Sequence, residues 1–422
     1  MKTAAIVLFV LMYIGMIALP KYRPYVALAA AAIFVAIGIL PLGEVPGAID
    51  WNVLMMLTGT MIAVDFFIES KMPNRIADSL LNSAPNVMWV TIYMSLFAGV
   101  ISAFIDNVST VLMVAPVGIA ICRKLQISPV NMILAIAVSS NLQGAATLVG
   151  DTTSIMLGAY ANMDFLDFFF MKGKPGMFFA TELGALVTVP IMMWLFRKDT
   201  APVSSKEHTE VKDYIPTILL LALVATLILA SFIPGKPSIT NGLICMFYAG
   251  LMILLELVLK GNREGLSHAV EALDADTLLL LAGLFTVIGG ITNVGIIDDL
   301  AAMIAKAGGH NVFLLYTVVV WGSVLISAFI DNIPYVATML PVLKGVTASL
   351  GIAPELLYFG LLVGATLGGN ITPIGASANI AGIGILRKEG YEVSFPQFMR
   401  IGVPFTLAAV MSGYLFVWTF FH

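Results

Sequence analysis

The sequence predicts an all-α polytopic membrane protein made of two related halves, and three observations carry that prediction. Apolar residues make up 59% of the 422 and charged residues 11%, against roughly 25% charged in an ordinary soluble domain. Long apolar runs recur along the chain. Hydrocarbon cannot hydrogen-bond a backbone, so runs of roughly 20 such residues must fold as spanning helices. Finally, "ISAFIDNVSTVLMVAPV" at 101–117 returns as "ISAFIDNIPYVATMLPV" at 326–342. No large soluble domain fits between the runs.

In the first half the apolar runs fall at 3–20, 25–42, 51–69, 86–122, 130–160 and 177–196, each closed by polar, Pro or Gly residues. The first follows a weak Lys2 n-region and lacks a clear small-residue cleavage site, so it reads as a retained helix. The polar segment 197–213 reads as a cytoplasmic linker. The pattern then restarts at 214–233, 239–259, 276–296, 311–349, 354–386 and 401–421. An offset of 225 aligns the two quoted motifs at ten of seventeen positions and pairs "LQGAATLVGDTTSIMLG" (142–158) with "LGGNITPIGASANIAGI" (367–383). At 224, "DWNVLMMLTG" meets "DADTLLLLAG". The chain therefore reads as two repeats, 1–196 and 214–422.

The runs 86–122 and 311–349 are too long for one ordinary span, and charge decides how they fold. If each Asp-Asn pair tips a re-entrant hairpin, each half has five spans, about ten in all, and the halves are inverted. One side of the membrane then receives 15 of the 21 Lys and Arg residues, Arg23 among them, and the other receives 6. The positive-inside rule makes the richer side cytoplasmic, so both termini are expected outside a bacterial-type inner membrane. Inverted repeats with interrupted helices are the signature of secondary transporters, whose sites lie where half-helix ends and unwound backbone converge. Asn107 and Asn332 are amides suited to lining a cavity, and Pro334 fits the first turn of a returning half-helix. The clusters "TLVGDTTS" (147–154) and "TPIGASAN" (372–379) break helices at mid-span and free their carbonyl and N–H groups, an arrangement suited to ions.

Asp106, Asp331 and Asp151 lie deep in apolar runs, where an unpaired carboxylate costs several kcal/mol, so binding or relay is their expected role. Asp65 is a candidate proton relay, weighed evenly against simple solvation near a helix end. Glu182 and Glu256 read as helix-end or cavity-wall residues. The scattered methionines read as packing. Cys122 and Cys245 fit neither a disulfide framework nor a thiolate metal site. His208, His268, His310 and His422 lie in loops or at the chain end, so no histidine catalytic or zinc constellation enters the membrane. An enzyme is thereby disfavoured, as is a passive channel, which is usually built by oligomeric symmetry around a pore. No nucleic-acid partner and no covalent cofactor are expected.

These motifs resemble the ArsB/NhaD permeases of the ion transporter superfamily, in the citrate-transporter-like branch that includes the melanosomal P protein. "SAFIDNVSTVLMVAPV", "SSNLQGAATLVGD", "GGNITPIGASANIAG" and "EGYEVSFPQFMRIGVP" fall in that family's order and spacing, so the resemblance covers nearly the whole chain. It implies a dimeric elevator carrier with a scaffold and a moving domain, the latter holding 86–160 and 311–386. It also implies ion or substrate sites at Asp106, Asn107, Thr110, Thr147, Gly150, Asp151, Thr152, Thr153 and Ser154, and at Asp331, Asn332, Thr372, Gly375, Ser377 and Asn379. Asn107 with the loop Thr147–Ser154 forms one sodium site, and Asn332 with Thr372–Asn379 its counterpart. The expected function is sodium- or proton-coupled antiport of a small inorganic ion or anion. Arsenite or antimonite efflux and sodium-coupled carboxylate transport are the alternatives. Two departures stand out. Dicarboxylate carriers have Ser-Asn-Thr at both tips, where this chain has Asp106-Asn107-Val108 and Asp331-Asn332-Ile333. The usual Gly-Asp-Pro-Pro-Asn becomes Gly150-Asp151-Thr152-Thr153-Ser154.

Overall fold

The computed structural model describes residues 1–203, 209–259, 264–308 and 311–422. Lys206, Lys260 and Arg263 of the charge count, and His208 and His310, lie outside the described residues, as does the side chain of His268. Among the described residues the chain is helical throughout, apart from one two-stranded antiparallel pair at Phe170–Met171 and Lys174–Pro175. Seven helices are long and apolar enough to cross a bilayer, and shorter apolar helices complete the bundle.

The two long runs break at their Asp-Asn pairs. The first becomes Val87–Ser102 and Asn107–Lys124, and the second becomes Val312–Ser327 and Asn332–Leu350. The cause is local. Asp106 and Asp331 adopt extended backbone, φ −45° and −51° with ψ 138° in both, and accept hydrogen bonds from the first N–H groups of the following helices. An N-cap carboxylate satisfies donors that have no intrahelical partner, so a new helix starts there. The runs 130–160 and 354–386 also divide. Val130–Gly144 is followed by Thr152–Tyr160, and Glu355–Gly368 by a short 3-10 turn and then Ser377–Lys388. Every residue from 132 to 158 and from 355 to 370 is buried, so these broken helices form the heart of the molecule.

Packing repeats across the halves. Val87–Ser102 lies on Val130–Gly144 as Val312–Ser327 lies on Glu355–Gly368, while Arg23–Ala36 packs on Ala275–Asn293 as Thr240–Leu259 packs on Trp51–Glu69. Small residues let the backbones approach. A Cβ at Gly59 would meet the Cys245 carbonyl carbon at 2.4 Å, and one at Gly283 the Ala27 carbonyl carbon at 2.8 Å.

Three features depart from the sequence expectation. Met72–Ser83, Glu264–Glu271 and Ile296–Gly308 are helices that a search for apolar runs passes over, because their apolar residues occupy one face only. Lys2–Ala18 and Pro20–Ala36 meet at an angle of 117°. Arg23, expected on the cytoplasmic surface, is instead 17% exposed and bonded to Asp331. Its preceding helix has 17 residues, a length of about 25 Å, less than the ~30 Å hydrocarbon core. The bend after it carries Arg23 to the second tip.

Candidate functional site

At each hairpin tip a helix ends, four residues turn, and a second helix begins with an acidic cap. Into the turn is pressed the loop of a broken helix. Thr147 Oγ1 donates to the Ala103 carbonyl, and Thr372 Oγ1 donates to the Ala328 carbonyl. The same threonine oxygens accept from Val149 N at 3.3 Å and Ile374 N at 3.4 Å. These hydroxyls clamp each loop to its tip.

Gly150 and Gly375 show how close the approach is. A Cβ at Gly150 would lie 2.5–2.7 Å from the carbonyl oxygens of Gly144, Ser102 and Ala103. At Gly375 the corresponding oxygens, of Gly369, Ser327 and Ala328, would lie at 2.6–2.8 Å. Each of the three is displaced by 225 residues. Only glycine fits against these oxygens. The oxygens belong to the ends of two helices, where carbonyls lack intrahelical partners and the helix dipole is negative. The glycine of each loop thus sits against three helix-end backbone oxygens.

The carboxylates differ in their company. Asp106 is half-buried and accepts from Ser109 N at 2.8 Å, Ser109 Oγ at 2.8 Å and Val108 N at 3.4 Å. Asp331, 4% exposed, accepts from Ile333 N at 3.1 Å. Its Oδ2 also takes Ser377 Oγ at 2.9 Å and Arg23 Nη1 at 3.0 Å. Asp151 stands at the N-cap of the second piece of the first broken helix and accepts from Thr153 Oγ1 in its first turn at 2.7 Å.

An amide relay crosses between the halves. Asn107 Nδ2 donates to Asn141 Oδ1 at 2.9 Å, and Asn141 Nδ2 donates to Asn370 Oδ1 at 3.1 Å and to the Thr366 carbonyl at 2.7 Å. Asn370 Nδ2 ends the relay on the Val138 carbonyl at 2.9 Å. Thr153 and Thr366 hydroxyls meet at 2.9 Å. Asn141, Asn370 and Thr366 were missed as site residues, although "SSNLQG" and "GGNITP" hold two of them beside the breaks. Arg23 carried no signal at all in its local sequence.

Two oxygens at equivalent positions remain without a hydrogen bond. Ser154 Oγ and Asn379 Oδ1 are buried and unpartnered, as is Asn332 Nδ2. Buried polar atoms in folded proteins are normally satisfied. The pair falls 225 residues apart, one in each loop. Asn379 Nδ2, by contrast, holds the Gly369 and Thr372 carbonyls at 3.0 and 3.1 Å. Among the remaining candidates, Thr110 turns its hydroxyl to the Ile105 carbonyl at 3.5 Å within its own hairpin. Thr152 is buried at the start of its helix. Asp65 lies half-buried on Trp51–Glu69, outside the hairpins and broken helices.

Two cavities flank the returning half-helices. One of about 510 Å³ reaches Asp50, Tyr160, Leu340 and Pro341, and one of about 370 Å³ reaches Asp78, Met113, Pro116 and Lys124. Pro116 and Pro341 are again 225 apart. Neither of these two cavities is lined by a tip carboxylate.

Paired helix breaks buried at the centre of a helical membrane bundle define a polytopic transporter rather than an enzyme. The chain belongs to the citrate transporter (CitMHS) family, whose pattern matches residues 6–364. It is 30% identical over 435 residues to an uncharacterized transporter of Mycobacterium tuberculosis, covering 99% of this chain and 98% of that one. The P protein of Homo sapiens is 28% identical over 471 residues, covering 92% of this chain and 56% of its own length. Its fold is similar to that of the YdaH transporter of Alcanivorax borkumensis, with TM-score 0.65, 15% identity, and coverage of 95% and 97%. MtrF of Neisseria gonorrhoeae, described as one of a class of antimetabolite efflux pumps, gives TM-score 0.61 at 16% identity, covering 99% of this chain and 94% of its own.

Proposed function

We propose that the protein is an ion-coupled secondary transporter in which two inverted repeats present a pair of cation sites to a substrate held between the hairpin tips. One observation carries this reading. Each broken-helix loop lies among helix-end carbonyl oxygens, and each contributes one buried oxygen, Ser154 Oγ or Asn379 Oδ1, that has no partner. Hard oxygen donors at helix C-termini suit sodium, so these residues fit the ion that the resemblance implies. The first site would draw on Ser154 and the carbonyls around Gly150, the second on Asn379 and those around Gly375. Turning over the Asn332 amide, which exchanges its oxygen and nitrogen, adds a second side-chain oxygen at the second site. Asp106, Asp331 and Asp151 supply negative charge for sodium or for a proton in transit, and Asp65 is a further relay candidate. Segments 86–160 and 311–386 move against the remaining helices, with both termini outside an inner membrane and two copies in the assembly.

Sodium- or proton-coupled antiport of the ArsB/NhaD type follows from acidic tips that no bound anion needs. A second reading, ion-coupled carboxylate transport as the family's name describes, gains from Arg23. A bare carboxylate at the second tip repels a dianion, and the guanidinium at 3.0 Å removes that repulsion. Flux of sodium, citrate and arsenite into proteoliposomes of the purified full chain, under imposed sodium and pH gradients, separates these readings. Uphill exchange of one of them driven by an opposing gradient is the expected result. Flux that only runs downhill would remove the carrier reading.

A further inference from the structure

Arg23 belongs to neither hairpin nor broken helix, yet it reaches the second tip. Its Nη1 lies 3.0 Å from Asp331 Oδ2, with exposures of 17% and 5% for the two side chains, and its Nε donates to the Met16 carbonyl at 3.3 Å. The same N-terminal helix pair grips the returning half-helix one turn further on. Tyr13 Oη donates to the Pro334 carbonyl at 2.7 Å and lies 2.7 Å from Thr338 Oγ1. At the equivalent tip, Asp106 accepts hydrogen bonds from its own helix alone among the described residues.

The oxygen that Arg23 occupies is also the one bound by Ser377, on the loop whose Asn379 Oδ1 is unpartnered, and Asn332 Nδ2, the residue beside Asp331, is unpartnered too. A guanidinium is a tethered cation that satisfies a carboxylate without entering a compact oxygen cage. We propose that Arg23 is the positioning residue of the second tip: it stands in for the coupling cation on Asp331 and ties that tip to the N-terminal helix pair. A sodium ion that takes the carboxylate displaces it and frees the tip to move. The inference rests on the proposed cation sites and assigns the second one a built-in competitor.

The test is a sodium titration of thermal stability on the purified full chain, with choline chloride holding ionic strength constant. In Arg23→Gln the competitor is gone, so the half-saturating sodium concentration is expected to fall about tenfold or more, while Arg23→Lys, which keeps the charge, stays close to the parent. A sodium response that first emerges in Arg23→Gln supports the proposal equally. The same midpoint in parent and Arg23→Gln overturns it, as do no response in either and identical shifts in Arg23→Lys and Arg23→Gln. Should Arg23→Gln not fold, Arg23→Gln with Asp331→Asn removes the unpaired charge. That double variant is expected to fold and to lose the second site's share of the sodium response, and a retained response overturns the proposal. Transport assays keep the two readings apart. Unchanged transport in Asp331→Asn sinks the proposed function. Lost transport in Asp331→Asn together with a parental sodium midpoint in Arg23→Gln sinks only the role of Arg23.

Discussion

The two hairpin tips have the same backbone and opposite electrostatics. In both, an aspartate caps a returning helix, a threonine clamps a loop to the preceding turn, and a glycine admits three carbonyl oxygens. The first aspartate is half-buried and relies on its own helix, whereas the second is sealed against an arginine from the far end of the chain. Backbone chemistry is thus duplicated, and charge compensation is supplied once. Arg23 lies in the first repeat and Tyr248 stands at the equivalent position of the second, so its contact with the opposite repeat's tip has no counterpart.

The largest expected difference between the tips follows from that arginine. Asp331→Asn leaves a half-buried guanidinium without its carboxylate and is expected to destabilise by about 2–4 kcal/mol, somewhat less than for a fully buried pair. Asp106→Asn loses one charge-assisted cap, worth about 1 kcal/mol. Thermal unfolding of the two variants side by side checks this, and equal losses would break the comparison. Next come the glycines. Gly150→Ala and Gly375→Ala each force a methyl group against backbone oxygens at 2.8 Å or less, and similar losses of about 1–3 kcal/mol are expected from both. An effect at one position alone would show that the loops are not equivalent. Smaller again are Thr147→Val and Thr372→Val, which leave the Ala103 and Ala328 carbonyls without their hydroxyl donors. Each is expected to cost about 1–2 kcal/mol, read by the same measurement.

Much of this site was legible because repetition exposes it. Asp106 with Asp331, Thr147 with Thr372 and Gly150 with Gly375 stand out once the chain is laid on itself at 225. Their chemistry was read less well than their place. A threonine in a broken helix reads from sequence as an ion ligand, and the Ala103 and Ala328 carbonyls show that it also holds loop to tip. Helices such as Met72–Ser83 were invisible to a search for apolar runs, since a helix with one apolar face offers no such run. Arg23 lay beyond reach for a different reason. It was counted as a surface charge beside Lys21, and its partner is 308 residues away. Nothing local marks a long-range ion pair.

The smallest expected effect on stability is the most informative about ions. Ser154 Oγ and Asn379 Oδ1 make no hydrogen bond, so removing them costs the fold little. Ser154→Ala is expected to change stability by less than about 0.5 kcal/mol without sodium, as for a change that breaks no contact. Asn379 is different, because its Nδ2 holds two carbonyls; Asn379→Asp and Asn379→Ala are both expected to lose that support. Ser154→Ala is therefore the cleaner probe. If its oxygen ligates sodium, the stabilisation that sodium confers on the parent, which scales as RT ln(1 + [Na]/Kd) at each site, shrinks in the variant while the sodium-free melting temperature stays put. Equal sodium stabilisation in both proteins would mean that the first loop's unpartnered oxygen has another use, and would leave the second loop, with Asn379 and Arg23, as the place where cation and carrier meet.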